Sequence, residues 1–242
     1  MTAAPQRPLA LAWLDLARAG NFPSVASNVM AAFVLSAAAP LHGGQLATAL
    51  AAGALVYAGG ATINDVADSG FDAVKRPERA IPRGTIARNT AGFVGTAQLL
   101  AGAAVLVACG ASWIGAAALV LLVVFYDWLH KRWAGSVGLI AGCRAALALT
   151  VATLPGHTLT PAVLGWVAAL WLYIVVLSVL ARREYAPGAP AASLAGAVRW
   201  LLACIPLVDA IALLAFGVWP WALACATMIP LGRAAQRLLA AD

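Results

Sequence analysis

Long apolar stretches follow one another along the chain, separated by short polar connections. They run over residues 10–38, 44–64, 90–109, 112–130, 136–154, 161–181, 194–216 and 219–239. A helix needs about 20 mostly apolar residues to cross a hydrocarbon layer about 30 Å thick. No water is present there to satisfy free backbone amides, so stretches of this kind must be helical. The sequence is 63% hydrophobic and only 10% charged, against about 45–50% and about 25% in a soluble domain. The fold class expected is therefore an all-α membrane protein, a transmembrane bundle of about eight spans forming a single domain over residues 1–242. Gly20 and Pro23 are expected to break the first, overlong stretch. That stretch does not resemble a cleavable signal, because Asp15, Arg18 and Asn21 interrupt it and further spans follow.

The positions of the basic residues predict a topology. Arg7 precedes the first span, and Lys75, Arg76, Arg79, Arg83 and Arg88 lie between the second and third. Lys131 and Arg132 follow the fourth, Arg182, Arg183 and Arg199 flank the connection after the sixth, and Arg233 and Arg237 lie near the C-terminus. The alternate connections, near residues 39–43, 109–112, 155–160 and 216–219, contain no Lys or Arg. By the positive-inside rule both termini and every basic loop face the cytoplasm of an inner, cytoplasmic membrane. The net charge of +6 is accounted for in this way. Basic and aromatic residues are not interleaved as a nucleic-acid groove requires, so no nucleic acid is expected as a partner. Cys109, Cys143, Cys204 and Cys225 lie in or beside apolar stretches without CxxC spacing, which argues for buried free thiols and against a zinc site.

Topology explains the bases but not the acids. The stretch NDVADSGFDAVKRPERAIPRG, residues 64–84, follows the second span directly. If the helix continues, Asn64, Asp68 and Asp72 stand at i, i+4 and i+8 on one face, and Asp65 and Asp72 nearly share another. Like charges so placed repel, and the dipole at a helix C-terminus disfavours carboxylates. A divalent cation resolves the conflict. Mg²⁺ takes oxygen ligands and is usually held by one or two carboxylates together with substrate phosphates. Lys75, Arg76, Arg79 and Arg83, close behind, are placed to grip those phosphates. The local chemistry reads as a metal–phosphate site.

This stretch resembles the first aspartate-rich motif, NDxxDxxxD with a basic tail, of the UbiA superfamily of intramembrane prenyltransferases. FYDWLHKRWAGSVGLIAGCRAAL, residues 125–147, resembles the family's tyrosine-then-lysine element, with Tyr126, Lys131 and Arg132 in those positions and the Tyr-to-Lys spacing one residue longer. YAGGATINDVADSGFDAVKRPERAIP and GCRAAL are most similar to the EboC-like branch. The resemblance implies a helical bundle around a cavity open to lipid. It implies an isoprenyl diphosphate as donor substrate, its diphosphate held by Mg²⁺ and by Lys and Arg, its tail in an apolar cavity. A hydrophobic or aromatic acceptor then attacks the carbocation left by ionisation. Asn64, Asp65, Asp68, Asp72 and Glu184 take the metal-binding role under this reading. Asp65, Asp68, Asp72 and Lys131 serve catalysis, and Lys75, Arg79, Arg83, Tyr126, Arg144, Arg182 and Arg183 bind substrate.

Two departures stand out. Most members carry a second motif, DxxxD, where this chain reads LSVLARREYAPG over residues 177–188. Either Glu184 completes a metal site with Arg182 and Arg183 supplying charge, or the site is degenerate. Well-known members also have nine helices, whereas eight stretches can be drawn here.

Ionisable groups inside spans are costly and are usually functional or paired. Arg18, Asn21 and Asn28 fall close to one stripe of the first stretch, either as a cavity wall that contacts substrate or as helix-to-helix hydrogen bonding. Arg144 either reaches the basic end or pairs with Asp209, for which structural pairing is expected. Asp127 either positions the acceptor or faces the interface, and His130 is expected to cap its helix. His42 and His157 are expected at the surface. Trp133, Trp200, Trp219 and Trp221 lie near span ends, where interfacial anchoring accounts for them. Two rival functions share these features: a terpene cyclase of the same fold, and a non-catalytic transporter or carrier of an amphipathic metabolite.

Overall fold

A computed structural model describes residues 8–183 and 191–239. Its helices are α1 (Leu9–Leu16), a 3₁₀ turn (Ala19–Asn21), α2 (Phe22–Leu35), α3 (Gly43–Lys75), α4 (Arg88–Ala108), α5 (Trp113–Leu129) and α6 (Ser136–Val151), followed by α7 (Pro161–Arg183), α8 (Ala191–Ala203), α9 (Ile205–Ala215) and α10 (Trp219–Leu238). Four stretches are long and apolar enough to cross a membrane: Gly43–Lys75, Arg88–Ala108, Pro161–Arg183 and Leu194–Ala215. Ala19–Leu35, Trp113–Leu129 and Ser136–Val151 are apolar but shorter. The protein is a multi-pass membrane protein.

Three expected stretches change shape. The first is broken at Arg18, whose φ of 46° is left-handed, and not at Gly20 or Pro23. Pro23 falls instead in the first turn of α2, where its missing N–H costs nothing. The second does not stop at residue 64, since α3 continues through 33 residues to Lys75. At about 1.5 Å per residue it is about 50 Å long, well beyond a hydrocarbon core of about 30 Å. Its final turns, from Asn64 onward, therefore stand at or past the membrane boundary. The seventh stretch divides at Cys204 into α8 and α9, and Pro206 sits in the first turn of α9.

Small residues set the helix spacing. A Cβ added at Gly59 would stand 2.5 Å from the Leu99 backbone nitrogen, and one at Gly102 would stand 2.7 Å from the Ala52 carbonyl. The backbones of α3 and α4 thus approach as closely as side chains allow, which is how helices associate in lipid. The main core is built around Phe33, Leu99, Leu106, Leu119, Leu170 and Leu213. A second cluster joins Ala12 and Leu16 of α1 to Ile86 and Ala91, with Ala80 and Ile81 packed against it. It folds the segment after α3 back over the basic end of the bundle. Large apolar side chains such as Leu121, Leu172 and Ile211 are 54%, 57% and 60% exposed. An apolar surface of this kind suits lipid and not water.

Candidate active site

The acids of α3 meet cations from three separate segments. Asp65 Oδ1 lies 2.9 Å from Arg18 and 3.2 Å from Arg79, and Asp72 Oδ2 accepts from the same Arg79 nitrogen at 3.0 Å. Asp68 Oδ1 lies 2.6 Å from Lys131 Nζ and 2.8 Å from His130 Nε2. The helix break puts Arg18 within reach, and the folded-back segment after α3 brings Arg79 over Asp65 and Asp72. His130 caps α5, as expected, but also does more. Its Nδ1 faces the carbonyls of Tyr126 and Asp127 at 3.2 and 3.0 Å. Both ring nitrogens therefore face acceptors, an arrangement that the imidazolium satisfies. The hydrogen bond to Asp68 accordingly raises the His130 pKa, against the opposing effect of burial.

Beside these pairs lies a cavity of about 430 Å³. Its body is apolar, lined by Val56, Leu119, Val123, Ile140, Leu147 and Ile174, with further aliphatic residues from α7, α8 and α9. Its polar wall holds Arg18, Arg76, Arg144 and Arg182, together with Asn21, Tyr57, Asn64, Tyr126, Asp127 and His130. The wall has two levels. Near the basic end, Asn64 Nδ2 donates to Asp127 Oδ1 at 3.0 Å, while Asp127 Oδ2 is buried without a hydrogen-bond partner. Arg182 donates to the carbonyls of Ala134 and His130 and to Ser136 Oγ, tying α7 to the loop after α5. Tyr57 lies seven residues earlier on α3, about 10 Å deeper along the axis. Its hydroxyl accepts from Asn21 Nδ2 at 3.1 Å, and the Arg144 guanidinium lies 4.8 Å from its ring centroid. The cavity thus offers a long greasy slot closed at one end by cations, hard oxygen donors and an unpaired carboxylate oxygen.

The model of the UbiA prenyltransferase family matches residues 25–242. This chain belongs to that family. Among its relatives are the digeranylgeranylglyceryl phosphate synthases of Methanopyrus kandleri and Halobacterium salinarum. The first is 33% identical over 121 residues, 50% of this chain and 44% of the relative, and the second 34% identical over 166 residues, 65% of this chain and 58% of the relative. The chain therefore spans about half the length of these relatives. The fold is shared with a UbiA homologue from Archaeoglobus fulgidus solved with GPP and Mg²⁺ bound, at a TM-score of 0.66, 14% identity and coverage of 93% of this chain and 99% of that one. It is shared also with a structure reported for digeranylgeranylglyceryl phosphate synthase in membranes, at a TM-score of 0.64 and 14% identity, covering 96% of this chain and 95% of that one.

Set against the sequence expectations, the UbiA fold gathers Asp65 and Asp72 on Arg79, Asp68 on Lys131 and His130, and Asn64 on Asp127, all along the last turns of α3. Asn21, Asn64, Tyr126, Arg144 and Arg182 line the cavity beside it. Lys75, Arg83 and Arg183 are exposed and do not line the cavity. Asn28 is not a cavity-wall residue either, because it is buried with its amide engaged by Asp209 and Arg144. Arg144 and Asp209 do not pair directly, since Asn28 stands between them. His42 is exposed as expected, whereas His157 is half-buried with its ring 4.3 Å from that of Phe33. Glu184 lies outside the described residues.

Sequence reasoning passed over Tyr57 and left Arg18 between a cavity-wall role and helix-to-helix hydrogen bonding; the structure places it in the cavity wall and against Asp65. Arg18 carried a usable signal, as an arginine in an apolar stretch next to a break. Tyr57 carried none beyond its register with Asn64 on α3.

The residues present suit a hard divalent cation. Among the described residues no group of three or more His, Cys, Asp or Glu could hold a metal ion by itself. Mg²⁺ does not require one, since it is usually held by one or two carboxylates with substrate phosphates completing the shell. Asn64, Asp65, Asp68 and Asp72 in the last turns of α3 supply oxygen donors only, and the surrounding cations match a diphosphate.

Proposed function

We propose that this chain is a Mg²⁺-dependent intramembrane prenyltransferase, moving an isoprenyl group from an allylic diphosphate to a hydrophobic or aromatic acceptor. One observation carries the reading: an apolar cavity of about 430 Å³ is walled by Arg18, Arg76, Arg144, Arg182, Asn64 and Asp127, and Arg18 of that wall pairs with Asp65 among the acids of α3. The family membership and the names of the relatives support it.

Asn64, Asp65, Asp68 and Asp72 would hold the metal, with Glu184 as a further candidate from the segment after α7. The bound metal would supply positive charge to the departing diphosphate. Arg18, Arg76, Arg79, Lys131 and Arg182 add fixed positive charge at the same place, where negative charge develops as the carbon–oxygen bond breaks. Lys131 and Arg79 already pair with carboxylates, so they serve equally as partners of diphosphate oxygens when those carboxylates turn to a cation. The aliphatic wall keeps water from the allylic cation. Tyr126 and the ring of Tyr57 present electron-rich faces to it. Asp127 Oδ2, buried and unpartnered, offers a place for a donor group of the prenyl acceptor. The basic end is read as cytoplasmic, with eight crossings and both termini on that side, in a single domain. Lys75, Arg83 and Arg183, exposed at that end, attract anionic substrates toward the mouth without touching them once bound.

The reading is tested by calorimetric titration of the full chain in nanodiscs with geranyl diphosphate. Binding is expected with Mg²⁺ and is expected to weaken about 100-fold or more on chelation or in Asp68→Ala, as loss of a charge-assisted contact predicts. Binding that ignores both changes would remove the metal–diphosphate site and favour the carrier reading.

A further inference from the structure

Asp209 lies in α9, wholly buried and outside the cavity. An ionisable group so placed is costly unless it is fully bonded. Three donors meet it: Ser27 Oγ and Asn28 Nδ2 at 2.7 Å on Oδ2, and Trp166 Nε1 at 3.0 Å on Oδ1. The far side of Asn28 faces the cavity wall. Arg144 donates to Asn28 Oδ1 at 2.6 Å and to Ser24 Oγ at 3.0 Å. A carboxylate has no proton to donate, and a guanidinium accepts none. The Asn28 amide can therefore sit in only one orientation, with nitrogen toward Asp209 and oxygen toward Arg144. The immediate partners of Arg144 are neutral, and its balancing negative charge stands one side chain away.

We propose that Asp209 is a positioning residue for the cavity: it fixes the Asn28 amide, and the amide fixes the Arg144 guanidinium against Tyr57 in the cavity wall. The carboxylate of α9, itself outside the cavity lining, thereby sets the geometry of a cationic group that substrate meets. An asparagine at position 209 leaves the amide of Asn28 free to turn its nitrogen toward Arg144, which loses its acceptor. The placement of Arg144 stands on these contacts alone, and only its effect on turnover rests on the prenyltransferase reading.

The test uses the full chain in nanodiscs, labelled with ¹⁵N-arginine. The Arg144 signal is assigned by its disappearance in Arg144→Lys. In the wild-type chain slow rotation of the held guanidinium should give separate Nη lines, and in Asp209→Asn and Asn28→Ala these should merge. Asp209→Glu, which keeps the charge, should restore them in part. In parallel, labelled product formed from geranyl diphosphate and a membrane lipid extract is followed. Asp209→Asn should lower kcat about 10- to 100-fold, the range for a misplaced positioning group, with KM for geranyl diphosphate within about twofold. Unchanged Nη lines in a folded Asp209→Asn or Asn28→Ala chain would overturn the proposal. Failure of both variants to fold would overturn it as well, since the network would then hold the bundle and not Arg144. Absence of turnover in the wild-type chain would count against the prenyltransferase reading alone, because the Arg144 signal is read without it.

Discussion

Arg18 shows how a single residue can join fold to site. Its left-handed backbone costs a residue with a Cβ about 1–2 kcal/mol, and glycine would be the cheaper choice. The same backbone ends α1, starts the 3₁₀ turn and places the guanidinium 2.9 Å from Asp65. The charge-assisted contact offsets the strain. Arg18→Gly is therefore expected to keep the fold, with a melting temperature within a few degrees of wild type, while geranyl diphosphate with Mg²⁺ binds about 10- to 100-fold more weakly. A thermal melt and a binding titration on the same preparation check both halves. At this scale the sequence was legible where residues lie on one element. The seven-residue spacing of Asp65 and Asp72 along a continuing helix puts these two acids near one face without reference to any other segment, and both meet Arg79. It was not legible where partners come from elsewhere. Asp127 meets Asn64 across two helices, and His130 meets Asp68 across 62 positions. Neither pairing leaves a local pattern.

The helices themselves follow from length and hydropathy, since lipid permits apolar stretches little else. Their interruptions do not follow so readily. The break at Arg18 is set by contacts outside its own stretch, and the division at Cys204 shows in sequence only as Pro206, a residue that starts helices as readily as it ends them. The eleven-residue extension of α3 past residue 64 is not dictated by its sequence, because its charged composition fits a loop as well as a helix emerging from the membrane. The packing of α3 on α4 is sharper than any of these. Gly59 admits no side chain, because the atoms a Cβ would meet at 2.5 and 2.6 Å are the Leu99 nitrogen and the Gly95 carbonyl oxygen, both backbone. Gly59→Ala is expected to force the two helices apart and to destabilise the bundle by about 1–3 kcal/mol. A fall in thermal stability in detergent, with Gly165→Ala as a control at a position where nothing lies within 4 Å, measures it.

Across the whole molecule, two halves of different chemistry are pressed together. One is the apolar cavity with its lipid-facing exterior, and the other is the basic end, where acids and cations pair off. The break before α2, the overlong α3 and the folded-back segment after it all serve to bring those halves into contact. The central claim is that their junction is where an allylic diphosphate loses its prenyl group. The most direct measurement follows pyrophosphate release and labelled product from radiolabelled geranyl diphosphate, using the purified chain in nanodiscs with a membrane lipid extract as the source of acceptor. The account predicts release that requires Mg²⁺, a product heavier than the acceptor by one prenyl group, and loss of both in Asp68→Ala. Release without Mg²⁺, or a product made from the prenyl chain alone, would contradict it.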